Sequence, residues 1–152
     1  MKQSISNQPF HYKACGLDNI FLLNGFTIHD EDGEQAISFE DIEGLHTAIG
    51  MNIIKHVRKL DGKELKFLRK EMEATQGMLA TLLGVTEDTL RRWEKGDAIN
   101  ESADRLIRLL YTEHVNCNPK IHELLEKLSQ LENDHDGGNF VKTSDDGWKV
   151  AA

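Results

Sequence analysis

Two hydrophobic rhythms divide the chain. Between Phe10 and Phe39 the apolar residues come in short runs broken by turn residues. Ile20-Phe21-Leu22-Leu23 and Phe26-Thr27-Ile28 flank Asn24-Gly25, and Ala36-Ile37-Ser38-Phe39 follows Asp30-Glu31-Asp32-Gly33. Such runs predict strands, two joined by a turn at Asn24-Gly25 and one returning after Gly33. From Asp41 to about Leu60 the rhythm changes. Ile42, Leu45, Ile49, Ile53 and Val57 stand three or four residues apart, on one face of a helix that Ser38 or Asp41 can cap.

The helical rhythm continues. Asp61-Gly62-Lys63-Glu64 has the form of an acidic capping box opening the next helix, whose inner face carries Leu65, Leu68 and Met72. Leu79, Leu82 and Leu83 line a second helix, and Ala103, Leu106, Ile107 and Leu110 line another that Asn100 can cap. Asn118-Pro119 opens a last helix bearing Ile121, Leu124, Leu125, Leu128 and Leu131, either core or a dimer seam. Beyond Asp134-His135-Asp136-Gly137-Gly138, Phe140 to Thr143 and Trp148 to Val150 flank Asp145-Asp146-Gly147 as a terminal hairpin.

The predicted class is therefore α+β, mainly α. A small β-rich N-terminal module (1–40) and a linking helix (41–60) precede a helix-turn-helix domain (61–117). A C-terminal helix and hairpin extension (118–152) follows, and the helix-turn-helix region is expected to contain five helices.

The most specific punctuation lies between Thr75 and Gly96. Thr75 can cap a helix that Gly84 ends; Val85 plugs the turn, and Thr86 can cap a second helix that stops at Gly96. Two short helices joined by so tight a turn form the unit whose second member enters a DNA major groove. With Leu90, Trp93 and Glu94 turned inward, Asp88, Arg92 and Lys95 point outward, flanked by Arg91 and Thr89. Asp88, Thr89 and Arg92 are the candidate base readers. Arg92 can grip a guanine edge with two donors, and Asp88 can accept from a cytosine amino group or orient Arg92. Thr86, Arg91 and Lys95 are the candidate phosphate contacts. A solvated charged face is the alternative reading of the same residues.

Charge at first argues against nucleic acid, since the 152-residue chain carries a net charge of −8. Its distribution removes the objection. Between Val57 and Val115 eleven basic residues meet eleven acidic ones, so the excess lies outside that window, where 7 − 15 gives −8. A neutral module on acidic flanks can bind DNA, though with less steering than a basic one. No apolar run approaches the roughly 18 residues of a membrane helix. Met1 to Gln8 lacks the apolar stretch of a signal peptide, and the two cysteines, Cys15 and Cys117, are too few and too distant for a disulfide framework. A cytoplasmic protein is expected.

Thr75-Gln76, Leu79-Ala80, Leu83-Gly84-Val85-Thr86, Leu90 and Trp93-Glu94-Lys95-Gly96 resemble the Cro/C1-repressor (xenobiotic-response-element, XRE) type of helix-turn-helix. That resemblance implies a backbone contact for Gln76 and base-reading positions at Glu87, Asp88 and Arg92. It also implies a buried ion pair between Arg69 and Glu94. Acids at positions 87 and 88 depart from the neutral amides or hydroxyls usual in that family.

The wider layout resembles the zinc-binding antitoxin–regulator family of bacterial toxin–antitoxin systems (the motility-quorum-sensing-regulator antitoxin type). Its N-terminal part holds zinc through paired Cys-x-x-Cys motifs and meets a toxin; its C-terminal part dimerises and represses its own operon. This chain lacks both pairs.

Rival chemistry is sparse. His11 with Cys15, and His114 with Cys117, are the weak metal candidates, four and three residues apart. Neither zinc nor another cofactor is expected. His29, Asp30 and His46 are the residues a hidden hydrolase would have to use, and none shows a catalytic spacing. The expected function is thus a non-enzymatic, dimeric repressor bound to double-stranded DNA. The alternatives are an antitoxin with a toxin partner and a protein-binding module that no longer binds DNA.

Overall fold

The computed structural model describes residues 8–131 and 137–151. Its elements run β1 (Phe10–His11), β2 (Phe21–Leu22), β3 (Phe26–Glu31), β4 (Glu34–Phe39), α1 (Ile42–His56) and α2 (Gly62–Glu71). They continue with α3 (Gln76–Leu83), α4 (Glu87–Glu94), α5 (Glu101–Val115), α6 (Lys120–Ser129), β5 (Phe140–Thr143) and β6 (Gly147–Val150). The class is α+β, mainly α, with three separate two-stranded antiparallel sheets. No helix of the described residues is long and apolar enough to cross a membrane.

The N-terminal part pairs differently from the sequence expectation. The strands on either side of Asn24-Gly25 do not pair with each other: β2 pairs with β1 (Phe10↔Leu22, His11↔Phe21) and β3 with β4. A glycine turn redirects the chain but does not choose a strand's partner; burial does. Pairing β2 with β1 puts Tyr12, Leu17 and Leu22 into the core, and Gly25 instead closes the base of the second hairpin by accepting from the Glu40 N–H. The second hairpin is as expected. Asp32 and Gly33 both have positive φ (54° and 90°), the geometry of the tight turn whose twist matches its strands. Phe10 touches Phe26 and Phe39 (centroids 5.1 and 5.8 Å), and Tyr12 meets Phe39 edge-on at 5.1 Å, so aromatic rings join the two hairpins.

Helix α1 is capped by Asp41, not Ser38, the carboxylate accepting from the Gly44 N–H. It ends at His56, short of the expected Leu60, because α5 reaches across. Arg108 donates to the carbonyls of Ile54 and Val57 (3.0 and 2.7 Å) and pairs with Asp104, which accepts from the Leu60 N–H at 2.8 Å. Orphan carbonyls at the helix end thus find a guanidinium instead of continuing the helix.

The capping box of α2 is complete, with both the Asp61 and Glu64 side chains engaged. Asn100 caps α5. Helix α6 starts one residue later than predicted: Pro119 takes the cap position rather than the first helical one, and no side-chain cap bond forms.

Helices α2 to α5 share one core with α1 and the N-terminal module. Leu65, Leu68, Leu79, Leu90 and Ile107 are fully buried there. Leu83, Val85 and Met72 pack against this core, partly buried. Helix α6 contributes only Ile121 and Leu125; Leu124 and Leu128 face outward, and Leu131, expected on this helix, lies exposed beyond its end at Ser129. The hairpin β5–β6 forms as predicted, with register Phe140↔Val150.

Candidate nucleic-acid interface

Helices α3 and α4 are set by their ends. Thr75 Oγ1 accepts from the Met78 N–H (3.1 Å) and Thr86 Oγ1 from the Thr89 N–H (3.1 Å). Gly84 closes α3 in the left-handed region (φ 67°, ψ 29°), and the Val85 N–H returns to the Ala80 carbonyl. A second glycine acts by its size. A Cβ on Gly62 would lie 2.4 Å from the Trp93 carbonyl oxygen, so the first residue of α2 presses directly against the end of α4. Sequence periodicity carries no signal for that contact.

The inward side of α4 is as expected. Leu90 and Trp93 are buried, and Glu94 is held in a bidentate pair by Arg69, Nε to Oε1 at 2.5 Å and Nη2 to Oε2 at 3.2 Å. The Arg69 and Glu94 side chains are 11% and 5% exposed. Arg69 also donates to the Ala74 carbonyl (2.9 Å), and Gln76 Nε2 donates to Glu94 Oε2 (2.7 Å). One carboxylate therefore anchors α2, the start of α3 and the end of α4. Gln76, expected to meet phosphate, spends one amide hydrogen inside the protein; its other amide hydrogen and its carbonyl stay available.

Outward, Glu87, Asp88, Arg91, Arg92 and Lys95 are exposed on α4, with Thr89 half-buried beside them. These charges are not independent. Arg91 reaches Glu87 (3.5 Å) and Asp88 (3.7 Å), while Arg92 reaches Asp88 (3.5 Å). Asp88 thus lies within ion-pair reach of both arginines. Exposed pairs of this kind are worth a few tenths of a kcal/mol, so a stronger acceptor can displace them. Thr86 and Thr89 join hydroxyls at 2.9 Å, and Lys95 has no ion-pair partner among the described residues.

The weak metal candidates are not brought together. His11 Nε2 bonds the Asp18 carbonyl oxygen (2.6 Å) and its ring stacks on Phe21 (4.5 Å). The Cys15 thiol donates to the Tyr12 carbonyl (3.9 Å). His114 and Cys117 border a groove of about 430 Å³ between α3, α5 and the start of α6, alongside Met72, Met78 and Leu82. Among the described residues no three metal-ligating side chains converge.

His29 bonds Ser38 (3.0 Å) on the exposed hairpin, away from His46. His46 instead sits between Tyr12 and Glu71, with Nε2 to the Tyr12 hydroxyl at 2.8 Å and Nδ1 to Glu71 Oε1 at 2.7 Å. This relay joins the N-terminal module, α1 and α2, and burial pushes the Tyr12 phenol up from its ordinary value. Its members lie 34 and 25 residues apart in sequence, so no motif announces it. Family models, curated proteins and solved structures were compared with the chain, and none matched.

Proposed function

We propose that this chain is a sequence-specific DNA-binding transcriptional regulator, a dimeric repressor acting in the cytoplasm without enzymatic activity or cofactor. One observation carries the reading. Arg91, Arg92 and Lys95 project from a short helix whose opposite face is fixed by Leu90, Trp93 and the buried Arg69–Glu94 pair. A rigid helix behind a tight turn, offering guanidinium groups outward, fits a major groove. In this reading Arg92 reads a guanine edge with Asp88 orienting it, Glu87 and Thr89 contact neighbouring bases, and Thr86, Arg91, Lys95 and the free part of Gln76 hold phosphates. A two-fold dimer spaces two such helices by one DNA turn, roughly 34 Å.

A second reading rests on the pairing of Arg91 and Arg92 with Glu87 and Asp88, which leaves α4 nearly neutral. It makes the same face a protein-binding surface. The antitoxin variant adds a basic toxin at the acidic N-terminal part, where Phe21 and Leu23 are exposed.

The test is binding to the DNA upstream of its own gene across a salt series, for the wild type, Arg92→Ala and Lys95→Ala. The regulator reading expects a steep salt slope. Arg92→Ala should lose roughly ten- to hundred-fold in affinity for the preferred site and keep weak general binding. Lys95→Ala should weaken all sequences alike and lower the slope by about one. A folded wild type with no affinity at low salt overturns it in favour of a protein partner.

A further inference from the structure

The C-terminal hairpin has two unlike faces. Its register places Phe140, Lys142, Trp148 and Val150 on one side and Val141, Thr143 and Lys149 on the other. Phe140, Trp148 and Val150 are 63%, 70% and 65% exposed, and none packs on the core. An isolated two-stranded hairpin is marginal in water; it needs a helix or further strands against its apolar side. Helix α6 shows the converse. Ile121 and Leu125 face the core, while Leu124 and Leu128 on the outer side of the helix and Leu131, just past its end, are 51%, 50% and 70% exposed. The same chain carries an uncovered apolar sheet face and an uncovered apolar helix stripe.

From this juxtaposition we infer that a second copy of the chain covers both: the Phe140–Trp148–Val150 face of each copy seats on the Leu124–Leu128–Leu131 stripe of the other. Two arguments select this occupant. The first is area. Six side chains exposing roughly 100 Å² each give about 600 Å² per chain, hence about 1,200 Å² for a reciprocal pair, the lower edge of a stable specific interface. The second is charge. At 100° per residue Lys120 and Lys127 flank the leucine stripe, and neither has an ion-pair partner among the described residues. The hairpin tip carries Asp145, which has no ion-pair partner among the described residues, and Asp146, which lies 3.9 Å from Lys149 of its own hairpin in an exposed pair that a partner's lysine can replace. Tip and flank are complementary, and the apolar faces fix the pairing.

The arrangement supplies the dimer that the regulator reading calls for, but its evidence is independent of DNA. Its test therefore uses no DNA. The mass of the full chain is measured by sedimentation equilibrium over a concentration series for the wild type, Trp148→Ser, Leu128→Glu and Leu23→Ser. Leu23 is a 77% exposed residue of the N-terminal module and serves as the control. Circular dichroism confirms that each variant is folded.

The wild type and Leu23→Ser should sediment at twice the 17.2 kDa chain mass. Trp148→Ser and Leu128→Glu should each dissociate at least tenfold more readily. Mixing those two variants should restore part of the dimer, because the intact hairpin of one chain can seat on the intact α6 of the other. A monomeric wild type overturns the proposal, whether the hairpin folds onto its own α6 or another molecule covers it. So does a dimer that only Leu23→Ser disrupts. A mixture that regains nothing overturns the reciprocal seating. Failure of DNA binding by an intact dimer would count against the regulator reading alone.

Discussion

Removing the Glu94 carboxylate tests how the helix-turn-helix is held. In Glu94→Ala the Arg69 guanidinium loses both bonds to its one charged partner and keeps one bond, to the Ala74 carbonyl. Gln76 loses its acceptor as well. A guanidinium stays charged at any accessible pH, so the site cannot relax by losing a proton. With the pair 11% and 5% exposed, stranding one member should cost about 3–5 kcal/mol. For a chain of this size that lowers Tm by roughly 6–20 °C. Replacing both members, as in Arg69→Met with Glu94→Met, removes the unpaired charge and should cost much less than the two single changes together. The assay is urea unfolding of the wild type, Glu94→Ala, Arg69→Met, Glu94→Met and the double Met variant, the Met variants read with the wild type as a double-mutant cycle. A Glu94→Ala loss below about 1 kcal/mol, or strictly additive single changes, would refute the argument that one buried pair anchors three helices.

Trp93→Ala should destabilise by about 3–5 kcal/mol through an unfilled cavity, and a fully folded Trp93→Ala that had lost DNA would contradict its placement in the core. Gly62→Ala forces a methyl against the Trp93 and Glu94 carbonyls, so chemical denaturation should show a loss above the fraction of a kcal/mol usual for an exposed helix start. His46→Leu strands both the Tyr12 hydroxyl and Glu71 and should cost about 2–4 kcal/mol, against about 1 kcal/mol for Tyr12→Phe, both read by urea unfolding. Burial pushes the Tyr111 phenol up to about 12 from 10.0. Folding therefore favours its neutral form: the contribution is complete below pH 10 and is lost as pH rises through 12, by up to about 3 kcal/mol. Tyr111→Phe should flatten that part of the stability–pH curve, and an unchanged slope between pH 10 and 12 would refute the assignment.

Local rules made most of the helical part legible. Asp61, Thr75, Thr86 and Asn100 are caps because each side chain satisfies an N–H within three residues of itself. Gly84 ends α3 because a left-handed residue is needed where it stands. The outward stripe of α4 follows from 3.6-residue geometry once Leu90 and Trp93 are inside. The Arg69–Glu94 pair came from family resemblance, and its burial and geometry from the fold.

Tertiary structure decided everything that links distant segments. Asn24-Gly25 is a turn on either pairing, and only the burial of Tyr12 and Leu22 gave β2 to β1. The end of α1 depends on Arg108, more than fifty residues away from both carbonyls it takes. The Tyr12–His46–Glu71 relay and the close approach of Gly62 to α4 have no sequence period at all. Neither does the division of α6 into an inner and an outer stripe. The sequence by itself determined the elements whose stabilising partners lie within one helical turn or one hairpin. Partners brought together by packing are chosen by the total burial of the chain, and no window of sequence contains that quantity.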